Sequence, residues 1–154
     1  MPKKILIVVG TRPEVIKVAP IINELKKNQS DFNVRVCITG QHESMLISAL
    51  EIFQIKPDYN LKIMEPNQTL FSITSKIINK LEAVLEEFGP DLVMVHGDTT
   101  TTLSASIASF YKKIKVAHVE AGLRTSNKYS PYPEEMNRRI TSQIADYNFA
   151  PTKE

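Results

Sequence analysis

Lys4-Ile5-Leu6-Ile7-Val8-Val9-Gly10-Thr11-Arg12-Pro13-Glu14 is the stretch on which the fold turns. Ile5 to Val9 is apolar without alternation. A strand with apolar residues on both sides is buried on both faces, as in a parallel sheet covered by helices. Gly10 ends the run, and Pro13 opens a helical pattern through Val15, Ile16, Ala19, Ile22 and Leu25. A first helical turn tolerates proline, because its missing N–H is no loss there. Pro20 lies deeper in the pattern and is expected to kink or break the helix.

The same alternation repeats along the chain. Val34 to Thr39 reads as a strand and His42 to Phe53 as a helix. Leu61 to Met64 reads as a short strand after the Pro57-Asp58 turn. Thr69 to Phe88 reads as a long amphipathic helix with Ile73, Ile77, Leu81, Val84, Leu85 and Phe88 on one face, stopped by Gly89-Pro90. A strand over Asp91 to His96, a helix over Thr99 to Tyr111 and a strand over Lys115 to Val119 follow. Pro131 to Pro133 leads into a helix running to about Tyr147, and Asn148 to Ala150 closes as a short strand. Strand and helix in strict alternation give an α/β fold, a parallel sheet with helices on both faces. Pro151-Thr152-Lys153-Glu154 reads as the opening of a further helix, with Thr152 as N-cap, so the chain is expected to be a fragment or a gene product cut short.

Composition narrows the classes. The 154 residues are 42% hydrophobic and 23% charged, ordinary for a globular domain. A net charge of +2 without a basic cluster gives no sign of a nucleic-acid partner. No stretch approaches the ~18 apolar residues of a membrane span, and Arg12 and Glu14 interrupt the apolar start too early for a secretory leader. The single cysteine, Cys37, lies in an apolar run and reads as buried and inert. A soluble, cytoplasmic protein without a membrane partner is the expectation.

Open parallel sheets bind ligands beyond the carboxyl ends of their strands. The residues there are Gly10-Thr11-Arg12-Pro13-Glu14 with Lys17 one turn on, Thr39-Gly40-Gln41-His42-Glu43, His96-Gly97-Asp98-Thr99, and His118-Val119-Glu120-Ala121-Gly122-Leu123-Arg124. Glu134-Glu135 and Arg138-Arg139 follow at the start of the next helix. Polar and ionisable residues thus gather at strand ends and avoid strand interiors. A helix N-terminus flanked by Arg12 and Lys17 suits an anion, though the Gly10 turn also reads as a plain tight connection. Neither G-x-G-x-x-G nor a P-loop follows the first strand. His96 with Asp98, and His118 with Glu120, are two apart and should share a face in a strand. One histidine on each of two strands is a weak metal signal, and none is expected; both also read as structural histidines. Asp98 also reads as the N-cap of the threonine-rich helix. Glu134 and Arg138, four apart, should face the same way, as a surface ion pair or as part of a site. The carboxylates Asp98, Glu120 and Glu134, with cations nearby, suit proton transfer at an unactivated carbon. No serine or cysteine elbow is present, which argues against acyl chemistry.

Five motifs in order carry a family resemblance: Val9-Gly10-Thr11-Arg12-Pro13-Glu14-Val15-Ile16-Lys17, Thr39-Gly40-Gln41-His42, Val95-His96-Gly97-Asp98-Thr99-Thr100-Thr101, His118-Val119-Glu120-Ala121-Gly122-Leu123-Arg124-Thr125, and Tyr129-Ser130-Pro131-Tyr132-Pro133-Glu134-Glu135-Met136-Asn137-Arg138. The chain resembles the non-hydrolysing UDP-N-acetylglucosamine 2-epimerases over its whole length. The resemblance implies the N-terminal Rossmann-like domain of a GT-B-like two-domain enzyme, incomplete within residues 1–154 and lacking the C-terminal UDP-binding domain. It implies interconversion of UDP-GlcNAc and UDP-ManNAc through 2-acetamidoglucal, without metal or cofactor, for cell-surface polysaccharide biosynthesis. Motif matching implies Asp98, Glu120 and Glu134 as acid/base carboxylates, and Arg12, Lys17, Arg138, Gln41 and His42 as substrate-binding residues. A homodimeric full-length enzyme is also implied, with this half alone inactive.

The chain departs from the family pattern at Ser44 and Asn67, where a longer polar residue and an arginine serve an activator site; that site is therefore in question here. Rival readings are a hydrolysing 2-epimerase, a 2-epimerase of another UDP-2-acetamido sugar, and a non-catalytic fragment.

Overall fold

A computed structural model describes residues 1–153. Its strands are β1 (Lys3–Val9), β2 (Phe32–Ile38), β3 (Tyr59–Asn60), β4 (Leu92–His96), β5 (Lys115–Val119) and β6 (Tyr147–Phe149). All pair in parallel, in the order β3-β2-β1-β4-β5-β6. That is the doubly wound order of a Rossmann sheet, with the reversal between β1 and β4. The helices are α1 (Arg12–Lys27), α2 (Glu43–Ile52), α3 (Leu70–Phe88), α4 (Thr100–Tyr111) and α5 (Glu134–Ile144).

Right-handed crossovers that lead away from β1 in opposite directions put their helices on opposite faces. Accordingly Ile5, Ile7 and Val9 pack with Val15, Val18, Ala19 and Ile22 of α1 and Leu46, Ala49 and Leu50 of α2. Leu6 and Val8 pack on the other face with Ile77, Leu81 and Leu85 of α3 and Ala105 and Ala108 of α4. Leu6 to Val9 are wholly buried, as the unbroken apolar run requires. Each such side chain contributes about 1.5–3 kcal/mol of burial. The six apolar residues expected on one face of α3 are all buried. Thr69 caps that helix, and Gly89 ends it in the left-handed conformation at φ 59°. Among the described residues no helix covers the α1/α2 face over β4 to β6. A concavity of about 670 Å³ remains there, lined by Met94, Ala117, Tyr147 and Phe149 among others. Among the described residues no helix is long and apolar enough to cross a membrane.

Four local expectations need correction. Of the kink or break expected at Pro20, the break does not occur: helix α1 continues through it. The proline takes only one donor from the ladder, and the carbonyl it strands belongs to exposed Ile16, where water can serve it. The third strand is Tyr59–Asn60, not Leu61 to Met64. Lys62 adopts φ 50°, which ends the extended backbone although Leu61 and Ile63 are still buried. Helix α5 stops at Ile144 and β6 starts one residue earlier than expected, at Tyr147. Residues 151–153 are not helical, and Glu154 lies outside the described residues.

The turn after β1 is packed against its neighbours. A Cβ built on Gly10 would lie 2.2 Å from Thr101 Oγ1 and 2.9 Å from Thr39 Oγ1. Gly10→Ala is therefore expected to cost about 1–3 kcal/mol in urea unfolding, and adding Thr101→Ala should restore part of it. An alanine variant as stable as the parent would show that this crowding is not real.

Candidate active site

The carboxyl ends of β1, β4 and β5 deliver three turns to one edge, and helices α1 and α5 bring cations to them. His96, the last residue of β4, pairs in register with Val119 of β5. Asp98 and Glu120 therefore leave adjacent strand ends side by side.

Alternation along the strands does not survive at that edge. Gly97 adopts φ 72° and Glu120 φ 61°, so neither carboxylate follows its histidine. Only one histidine meets a carboxylate, and that carboxylate comes from the neighbouring strand end. Glu120 Oε2 meets His96 Nε2 at 3.2 Å and Lys17 Nζ of α1 at 2.6 Å. Asp98 Oδ2 accepts from Arg138 Nη1 of α5 at 3.0 Å. His118 is wholly buried, with Nε2 2.7 Å from the Gly97 carbonyl and Nδ1 3.4 Å from Ser142 Oγ, a structural histidine. His96 is only half satisfied, since its buried Nδ1 has no partner among the described residues.

The charges fall into two units. In the first, burial pushes Glu120 up, but the hydrogen bonds of Lys17 and His96, the charge of Lys17 and, at the acid pH where Glu120 titrates, the charge of His96 outweigh it and hold the carboxyl below its ordinary value. Burial depresses His96 more than Glu120 raises it. His96 is thus neutral near pH 7 and acts on Glu120 as a hydrogen-bond donor, while Lys17 supplies the positive charge. In the second unit Arg138, almost buried, bridges Asp98 to Glu135, with Nη2 2.5 Å and Nε 2.7 Å from Glu135 Oε2. Glu135 is itself wholly buried. Burial pushes its carboxyl up, but the Thr125 N–H, Arg139 and Arg138 together hold it at about 2. It therefore stays ionised and fixes the guanidinium. In both units one carboxylate oxygen is held by a cation. Glu120 Oε1 and Asp98 Oδ1 make no hydrogen bond among the described residues.

Two expected contacts are replaced. Arg138 turns to Asp98 and Glu135, not to Glu134, which begins α5 and makes no side-chain hydrogen bond among the described residues. Thr99, not Asp98, caps α4, accepting the Thr102 N–H at 3.2 Å. Asp98 is left free for Arg138. Arg12 stands exposed at the first turn of α1, and Gln41 and His42 sit at the end of β2. These three side chains reach the same edge of the sheet but bond to none of the others. Cys37 is buried, and burial pushes its thiol up to about 12, so it is inert.

Residues 23–154 match the family model described as UDP-N-acetylglucosamine 2-epimerase. The chain belongs to the UDP-N-acetylglucosamine 2-epimerase family. The chain is 58% identical over 151 residues to the UDP-N-acetylglucosamine 2-epimerase of Neisseria meningitidis, covering 98% of this chain and 40% of that protein. It is 56% identical over 152 residues to the Campylobacter jejuni epimerase, covering 99% and 39%. A crystal structure of the Neisseria meningitidis family member bound to UDP-GlcNAc superposes with a TM-score of 0.93 at 59% identity, over 97% of this chain and 41% of that one. A Methanocaldococcus jannaschii member in complex with UDP-GlcNAc and UDP gives a TM-score of 0.89 at 41% identity, over 97% and 41%. The chain thus spans about 40% of the length of these family members.

The sequence places Glu14, Glu135 and His96 at the working edge but assigns none of them a role in the site. Glutamates in a first helical turn read as dipole partners, and a histidine ending a strand reads as core. The signal for His96 and Glu120 was their place on adjacent strand ends, which becomes a contact only once the register is known.

A non-glycine residue at φ 61° is strained, and Glu120 carries that strain at the site. Glu120→Gly and Glu120→Ala lose the same carboxylate, but only glycine tolerates the left-handed backbone. The glycine variant should be about 0.5–1 kcal/mol more stable than the alanine variant in urea unfolding, after allowing for the greater entropy of unfolded glycine. Equal stability, or a more stable alanine variant, would contradict a strained Glu120.

Proposed function

We propose that this chain supplies the acid/base half of a UDP-N-acetylglucosamine 2-epimerase of the non-hydrolysing kind. The observation that carries the reading is the pair of half-free carboxylates on adjacent strand ends: Glu120 held by Lys17 and His96, and Asp98 held by Arg138. Family membership and relatives bound to UDP-GlcNAc support the substrate.

In this mechanism one carboxylate removes the C2 proton of UDP-GlcNAc while the C1–O bond to UDP breaks. The products of that step are 2-acetamidoglucal and UDP. UDP then adds back at C1 and a proton returns to the opposite face of C2, giving UDP-ManNAc. Glu120 suits the base: its carboxyl is ionised near neutral pH, and both holding groups take the same oxygen. Asp98 and Glu134 are the other acid/base groups. Developing charge on the departing pyrophosphate is met by Arg12 and Lys17, with the N-terminus of α1 behind them. Arg138 fixes Asp98, and Gln41 and His42 close the sugar side of the cleft. A second, UDP-binding domain would form the other wall of the cleft. An inert Cys37 agrees with a cytoplasmic setting.

The test joins this chain to the remaining length of the Neisseria meningitidis relative and follows C2 of UDP-GlcNAc by NMR in deuterated water. The hybrid should exchange C2 hydrogen and form UDP-ManNAc. Asp98→Asn, Glu120→Gln and Glu134→Gln should each lower turnover by about 10² or more. The 154-residue chain alone should show no exchange, because one wall of a cleft neither positions the substrate nor excludes water. Near-normal exchange in all three variants would refute the assignment. Release of free ManNAc and UDP would make the enzyme a hydrolase.

A further inference from the structure

Glu14 is a buried carboxylate that the reaction above does not use. It is 2% exposed and has no cation within ion-pair distance among the described residues. Its Oε2 accepts the Gly10 N–H at 3.0 Å and the Thr11 N–H at 2.6 Å. The Thr11 contact belongs to an ordinary capping box for α1. A capping box does not explain the other oxygen. Oε1 accepts from Thr99 Oγ1 at 2.9 Å, and Thr99 lies in the turn after β4.

The direction of that bond follows from its neighbours. Thr102 Oγ1 is 2.5 Å from the His96 carbonyl, which can only accept, so the Thr102 hydroxyl proton points there. Thr99 Oγ1 accepts the Thr102 N–H at 3.2 Å and also lies 3.0 Å from Thr102 Oγ1. An ionised carboxylate oxygen can only accept, so the Thr99 proton goes to Glu14. Three donors thus converge on one carboxylate from two turns. Burial pushes Glu14 up and these donors push it down, with burial the larger effect. An acceptor held this way is costly to bury and has to be matched by well-made hydrogen bonds.

The turns it joins are the ones that flank the crevice. Arg12 directly follows Thr11, and Asp98 directly precedes Thr99. Glu14 makes no hydrogen bond to either side chain among the described residues. We propose that Glu14 is a positioning residue of the epimerase reaction, a buried tie that sets the Arg12 turn against the Asp98 turn across the gap between β1 and β4. The proposal rests on the function inferred above.

The test uses Glu14→Gln, Thr99→Asp and the double variant. Aspartate caps α4 at least as well as threonine, but it sets a second carboxylate against Glu14. In the double variant the introduced amide can donate to the introduced carboxylate, and the tie is remade. In the hybrid enzyme each single variant should lower kcat by about tenfold or more with KM changed by less than about threefold, since orientation and not uniform binding is lost. The double variant should recover most of the loss. Urea unfolding of the 154-residue chain should show the same non-additivity.

Single variants with lowered unfolding midpoints but parental kcat would make Glu14 a structural cap and overturn the positioning role. Additive losses in the double variant would overturn the tie itself. If Glu14→Gln does not fold, a Thr99→Asp variant with parental kcat still overturns the proposal. An unsubstituted hybrid that never exchanges C2 hydrogen means that the epimerase reading has failed, and the catalytic role of Glu14 with it. An active hybrid whose variants all keep its kcat means that only the positioning role has failed.

Discussion

Parallel pairing of β1 with β2 on one side and β4 on the other is the constraint from which the rest follows. A strand paired on both edges and covered on both faces must be apolar throughout, as Leu6 to Val9 are. Connections that leave in opposite directions cannot both close over its carboxyl end, so a crevice opens there. Two turns meet across that crevice with little room. Gly10 lies against Thr39 and Thr101, and Glu14 reaches over to Thr99. Packing at the end of β1 therefore dictates where Arg12 and Asp98 stand.

Electrostatics follows from the same placement. Helix α1 leaves from β1 on one face and carries Lys17 to Glu120; α5 runs on the other face and carries Arg138 to Asp98. Each carboxylate is held by one oxygen from opposite sides of the sheet. The two cations differ in support. Lys17 is half exposed and has a single partner, whereas Arg138 is clamped by the wholly buried Glu135. A guanidinium fixed in two directions holds an orientation better than a flexible ammonium does. The Asp98 unit is thus the rigid side of the site and the Glu120 unit the adaptable one.

Much of this was legible in the sequence because burial writes itself as periodicity. The strand at β1 and the buried face of α3 could be read directly, and the placing of polar groups at strand ends gave the working edge. Reading failed where single backbone angles intervene. Lys62 at φ 50° ended β3 early, and with Gly97 and Glu120 at positive φ, His96 meets Glu120 while Asp98 turns to Arg138 and His118 to the Gly97 carbonyl. Alternation along a strand has no means of foreseeing a left-handed residue at its end. Glu14 and Glu135 were illegible for another reason. Both sit in first helical turns, where glutamates are common, and both are bonded by other turns, 85 residues away for Glu14 and 10 for Glu135.

On the proposed function, the carboxyl edge of the sheet receives the nucleotide sugar, and the concavity over β4 to β6 does not. Amide NMR of the 154-residue chain titrated with millimolar UDP-GlcNAc separates the two places. Shifts are expected in residues 10–17, 96–100, 120–125 and 134–138, weak but saturable. Shifts confined to the lining of the concavity, at Lys3, Phe32, Leu92, Lys115 and Tyr147, or no shifts at all, would contradict binding at the carboxyl edge.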